Sequence, residues 1–120
     1  MKAVNLPKSL FENEQTLQIL GKISEKQSCC VSGLSGSSYA FFTAALAQNS
    51  SNPILWIAED KEQAAYWFND LERLLPDNEV LFFPASYRGT QEFKQVDNAN
   101  VMMRAEVLKK ISAAPKQFVV

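Results

Sequence analysis

Short apolar runs bounded by glycine and proline alternate along this chain with longer stretches of helical periodicity, and that alternation constrains its fold more than any other feature. The runs are Cys29–Cys30–Val31, which ends at Gly33, then Ile54–Leu55–Trp56–Ile57–Ala58, opened by Pro53, then residues 80–83, and finally Gln117–Phe118–Val119–Val120. Runs of this length, rich in β-branched and aromatic residues, fit strands buried on both faces. Between them, residues 9–25 set Leu10, Leu17, Leu20 and Ile23 on one helical stripe, with Phe11 and Ile19 beside it and Gly21 interrupting. Residues 38–48 set Tyr39, Phe42 and Leu46 on another, with alanines around them. Asp60 reads as an N-cap with Gln63 in the capping-box position three residues on. The helix it starts carries Ala64, Trp67, Phe68, Leu71, Leu74 and Leu75 inward, and Pro76 closes it. A polar loop follows from Pro84 to about Asn98, and Val101, Ala105, Leu108 and Ile111 mark a last helix.

Strand–helix alternation predicts an α/β fold, a parallel sheet flanked by helices on both faces. The 120 residues form a single expected domain, long enough for one core. Because the last apolar run is still open at Val120, residues 1–120 read as a domain fragment that continues in a longer protein.

Composition removes several kinds of chemistry. Without histidine, Ser-His-Asp and Cys-His catalysis and most zinc sites are excluded. Twelve basic against 13 acidic side chains leave no positive excess with which to grip nucleic acid by its phosphates. If the protein serves DNA metabolism, DNA is held by other parts of it. Adjacent cysteines in a strand point to opposite faces, so Cys29 and Cys30 do not suit a structural disulfide, and a reduced, cytoplasmic setting is expected. No apolar stretch approaches the roughly 18 residues of a membrane helix, so no membrane association is expected.

The most informative segment joins the first run to the second helix: Gly33–Leu34–Ser35–Gly36–Ser37–Ser38–Tyr39–Ala40. A nucleotide-binding P-loop reads G-x-x-x-x-G-K-[ST] at such a junction. Its glycines let backbone N–H groups wrap the phosphates, its lysine reaches the β and γ phosphates, and its hydroxyl binds magnesium. Here Gly33 keeps the first glycine and Gly36 supplies an internal one. Ser38 stands at the second glycine, Tyr39 at the lysine and Ala40 at the hydroxyl. Tyr39 brings no positive charge and Ala40 no oxygen for a metal, so no catalytic residue and no functional cofactor site is expected. The loop is read first as a small-residue turn without ligand, then as a weak anion site at the helix N-terminus, and last as a functional nucleotide site.

Glu59 and Asp60 stand where a dinucleotide-binding fold places its ribose-binding acid, but residue 35 is serine where that fold requires glycine, and helix capping accounts for Asp60. Tyr87 and Arg88 lie in the polar loop beyond the third run and are the candidate partner contacts. Trp56 and Trp67 read as core, Met102 and Met103 as packing residues, and Lys109 and Lys110 as complements to a helix dipole.

With these motifs in view, the sequence resembles the first domain of the excinuclease B subunit (UvrB). It resembles more closely the N-terminal, UvrB-like domain of the transcription-repair coupling factor (Mfd) family. The resemblance runs through the Gly33–Ala40 loop, Ile54–Leu55–Trp56–Ile57–Ala58–Glu59–Asp60, Leu74–Leu75–Pro76 and Phe82–Phe83–Pro84. It implies a helicase-related P-loop NTPase, RecA-like fold with a degenerate Walker A loop. It also implies a parent protein that uses ATP and magnesium in separate motor domains, displaces stalled RNA polymerase at DNA lesions and recruits the excision-repair A subunit (UvrA). This segment would be a non-catalytic platform. The tyrosine-rich stretch that leads to the lesion-probing hairpin of the B subunit is reduced here to one tyrosine, Tyr87, so direct lesion probing is not implied. Two alternatives stay open: a UvrB-type ATPase with an atypical loop, and a small-molecule module of dinucleotide or flavodoxin type.

Overall fold

A computed structural model describes residues 13–85, 98–113 and 118–119. The expected helix start at Leu10 and Phe11, most of the polar loop, Tyr87 and Arg88, and the ends of the last run lie outside the described residues. Within them, four helices are separated by three strands of two residues each: α1 (Glu14–Ser24), α2 (Ser38–Asn49), β1 (Ile54–Leu55), α3 (Lys61–Leu74), β2 (Val80–Leu81), α4 (Asn98–Ala113) and β3 (Phe118–Val119).

This corrects the expected architecture. The described chain is mainly helical, and the parallel sheet flanked by helices of a P-loop or RecA-like fold is not what it forms. Strand pairing is confined to stubs in the order β1–β3–β2. Ile54 and Val80 are both in register with Phe118, and Leu55 and Leu81 are both in register with Val119. Cys29–Cys30–Val31, the expected first strand, joins no ladder among the described residues, and all three side chains are exposed. The other runs pair over two residues only, and Leu55 and Ile57 remain 68% and 83% exposed. The physical reason lies in where hydrogen bonds are found. A helix satisfies its backbone within the segment, whereas a strand depends on partners far along the chain. Among the described residues, no second layer covers Leu55 and Ile57.

Local chemistry explains the helix ends. Asn13 caps α1 by accepting the Thr16 N–H at 2.8 Å. The same helix ends with Lys26 at φ +59°, where the Lys26 N–H donates to Ile23 O and the Gln27 N–H to Lys22 O, both at 2.9 Å. That is the double-bonded left-handed termination usually given to glycine. Asp60 caps α3 as the sequence predicts, its Oδ1 accepting the Gln63 N–H at 2.7 Å. The return bond is displaced by one residue, because Gln63 Oε1 accepts from the Glu59 N–H at 3.1 Å. Replacing Asp60 by alanine is expected to cost about 1 kcal/mol, measured as a shift in urea midpoint.

The core sits between α2 and α3. Ala64, Trp67, Leu71 and Leu75 are buried from α3 and the turn after it, with Phe68 and Leu74 half-buried, as their spacing predicts. The inner face of α2 differs from expectation. Ala40, Thr43, Ala44, Ala45 and Ala47 are buried while Tyr39, Phe42 and Leu46 are only half-buried. Small side chains let the two helix backbones approach closely, so the alanines hold the centre and the larger residues flank it.

Two apolar stripes also face elsewhere than expected. In α1, Leu17 and Ile23 are exposed, while Thr16 is buried and Ile19 and Leu20 are half-buried. In α4, Val101, Ala105, Leu108 and Ile111 are exposed, as are Met102 and Met103, and Val107 is the buried position. Polar anchors set the rotation of α4. Arg104 stacks 4.4 Å above the Phe83 ring and donates to the Pro84 carbonyl at 3.0 Å. Val107 packs with Leu81 and Phe83, and Lys110 lies 2.6 Å from Glu79 and 3.3 Å from Glu106. Residues 104, 107 and 110 share one helix face.

The Lys110 ammonium is held above its ordinary value of 10.5, first by the hydrogen bond to Glu79 and then by that to Glu106. A raised folded-state value means that the pair's contribution is fully present below the unfolded lysine value and is lost as pH rises through the folded one. Melting temperature measured across the alkaline range should therefore fall less steeply in Lys110→Met than in the parent chain.

Candidate functional site

The Gly33–Ala40 loop closes on itself. Gly33 and Gly36 take φ of +88° and +52°, conformations that favour glycine, although open space surrounds both. The Ser38 hydroxyl donates to the Ser35 carbonyl at 2.7 Å and accepts the Ser35 N–H at 2.6 Å. The Ser38 N–H donates to that same carbonyl at 3.1 Å. A phosphate-holding loop turns successive N–H groups toward one anion. Here the Ser35 and Ser38 amides are engaged within the turn. Ser37, at the start of α2, makes no side-chain cap.

Of the two positions that carry P-loop chemistry, Ala40 has joined the interior and Tyr39 is half-buried at its edge. Ala40 is 1% exposed, within the core cluster, where no side-chain oxygen could meet a solvated metal. Tyr39 turns into an aromatic trio with Trp56, beyond β1, and Trp67, on α3. Its ring centroid lies 6.2 Å from Trp56 and 5.1 Å from Trp67, and the two indoles are 5.1 Å apart at 84°. These separations and the edge-to-face arrangement are those at which aromatic quadrupoles attract. Among the described residues, Trp56 Nε1 is a buried polar atom without a hydrogen-bond partner.

Beside the loop an open cleft of about 280 Å³ separates it from α1, lined by Asn13, Thr16, Ile19, Gly33, Leu34 and Ser38 among others. None of its lining residues among those described is charged, so among the described residues no cationic side chain lines the cleft to meet a triphosphate or pyrophosphate. Among the described residues there is also no cluster of three or more histidine, cysteine or carboxylate side chains able to hold a metal. Asp60 is used as the α3 cap and Glu59 contributes its N–H to Gln63, which leaves the ribose-binding role of this acidic pair without structural support.

The sequence-selected residues thus separate. Gly33, Ser35, Gly36, Ser37 and Ser38 form the turn, while Ala40 belongs to the core and Tyr39 packs half-buried against Trp56 and Trp67. Tyr87 and Arg88 fall outside the described residues. Sequence reasoning overlooked Arg104, whose guanidinium ties α4 to the chain leaving β2. Its signal was a cation directly after the apolar run Val101–Met102–Met103 and three residues before Val107. No helix among the described residues is long and apolar enough to cross a membrane.

Comparison with known proteins gives one informative similarity. No protein-family model matches the chain, and no solved structure matches it. A transcription-repair-coupling factor of Bacillus subtilis (strain 168) is 31% identical over 90 residues, which cover 75% of this chain. The match spans 8% of the length of that relative. The chain is therefore similar to a short segment of a much longer transcription-repair-coupling factor.

Proposed function

We propose that this chain serves as a non-catalytic module of a transcription-repair coupling factor and works through protein contacts. The observation that carries this reading is the packing of the half-buried Tyr39 ring against Trp56 and Trp67, where a working phosphate loop would present lysine to its ligand. The uncharged cleft beside the loop and the similarity to the Bacillus subtilis protein support it. The finer resemblance is to a UvrB-like module that has lost its nucleotide chemistry. In this reading the longer protein displaces stalled RNA polymerase at lesions and recruits UvrA in the cytoplasm. Its ATP, magnesium and DNA contacts belong to other domains. The near-balanced charge of these residues suits such a division of labour.

The test removes residues 1–120 from the longer protein and measures retention of purified UvrA. Loss of retention supports a platform role, and unchanged retention overturns it. A second expected outcome concerns catalysis. Tyr39→Lys should show no magnesium-dependent phosphate release, because Ala40 stays buried and the Ser35 amide stays engaged by Ser38. It should also lose about 0.5–1.5 kcal/mol for each aromatic pair broken, read by thermal melting.

A further inference from the structure

Cys29 and Cys30 are adjacent in sequence, both are free thiols and both are exposed. They lie between α1 and the Gly33–Ala40 loop, in a stretch that forms no strand pairing among the described residues. In a paired strand, neighbouring side chains would be held on opposite faces. Here no ladder imposes that separation. Thiol–disulfide exchange requires access for the attacking thiolate and for the incoming disulfide, and both sulfurs have it.

We propose that Cys29 and Cys30 form a modification site for small-molecule disulfides of the glutathione type, closing on each other as a vicinal disulfide. One thiol loses its proton, and its thiolate attacks a sulfur of the small disulfide. A protein–small-molecule S–S bond forms, the original S–S bond breaks, and the released thiolate takes up a proton. The neighbouring cysteine then deprotonates and attacks the protein-bound sulfur of the mixed disulfide, expelling a second small thiol. Two protein thiols are oxidised and one disulfide is reduced to two thiols.

The ring so formed is strained. Adjacent Cα atoms across a trans peptide are about 3.8 Å apart, closer than the roughly 4.4–6.8 Å of ordinary disulfides. Strained and exposed disulfides are the readily reduced ones, which makes this site a reversible mark rather than a staple. Its position gives it a consequence for the loop. Val31, Ser32 and Gly33, immediately after the pair, line the cleft together with Asn13 and Thr16. Closing the ring redirects the backbone that forms one wall of that cleft.

The experiment incubates the purified chain with oxidised glutathione and follows intact mass and free-thiol content, with Cys30→Ser in parallel. The expected product has lost both thiols, weighs less by the two thiol hydrogens, retains no glutathione and recovers both thiols with dithiothreitol. Cys30→Ser should stop at a stable glutathione adduct on Cys29. Persistent glutathione adducts on the parent chain, disulfide-linked dimers or unreacted thiols would each overturn the proposal.

Discussion

Trp67→Ala is expected to remove about 3–5 kcal/mol of folding stability, the usual cost of deleting a large buried aromatic side chain. Trp67 is 8% exposed and touches both other members of the aromatic trio, with ring centroids at 5.1 Å from Tyr39 and 5.1 Å from Trp56. Removing it therefore forfeits the burial of the indole and two ring–ring contacts together. It also opens the seam between α2 and the chain leaving β1. Small domains are stable by about 5–15 kcal/mol in all. A urea titration followed by circular dichroism should find the variant with a midpoint far below the parent or already unfolded without denaturant. A midpoint near the parental one would mean that the trio is a surface ornament and that the core lies elsewhere.

Leu71→Ala tests the other half of the same core and should cost about 2–5 kcal/mol. Leu71 is 1% exposed and is among the largest fully buried side chains described. It lies one turn beyond Trp67 on α3, in the cluster formed with Ala40, Ala44, Ala47 and Leu75. The other buried members of that cluster are mostly alanines, which have no rotamers with which to fill a void, although Ile54, Phe68, Leu74 and Phe82 pack against it. How far those larger side chains relax into the vacated volume sets where in that range the cost falls. Leu71→Met, which nearly conserves volume, should cost below about 1.5 kcal/mol. Equal losses in the two variants would show that shape at this site matters more than the cavity.

The contrast between what was legible in the sequence and what was not follows the range of the forces involved. The helix over residues 61–74 was readable in full, from its Asp60 cap to its inner residues, because capping and i, i+3, i+4 spacing are local. The departure of the Gly33–Ala40 loop from the P-loop pattern was readable because it is a matter of residue identity at Tyr39 and Ala40. Where those side chains go was not, since it depends on Trp56 and Trp67, residues 17 and 28 positions away in the chain. The rotation of α4 was misread for a related reason. Apolar count favoured the stripe through Val101 and Leu108, but Arg104 and Lys110 find partners at Phe83, Pro84 and Glu79 that periodicity does not contain. The strands were misread because an apolar run shows that a segment suits pairing without showing that partners are present. Ile54–Leu55–Trp56–Ile57–Ala58 pairs over two residues, and Ile57 faces solvent.

The placement of both tryptophans in one trio has an optical consequence. The chain contains two tryptophans, and their indoles sit edge to face at 5.1 Å, close enough for their excited states to couple as an exciton pair. Tyr39, beside both, is positioned to pass its excitation to them. Emission from this protein therefore reports on a single point, the joint between the loop, the residues after β1 and α3, while α1 and α4 carry no tryptophan and are dark in that channel. Helical dichroism, in contrast, weights all four helices by length. Coincident denaturation curves from the two probes would show that α4 melts together with the α2–α3 core. A dichroism curve that begins to fall before the emission changes would mark α1 or α4 as a separately melting unit.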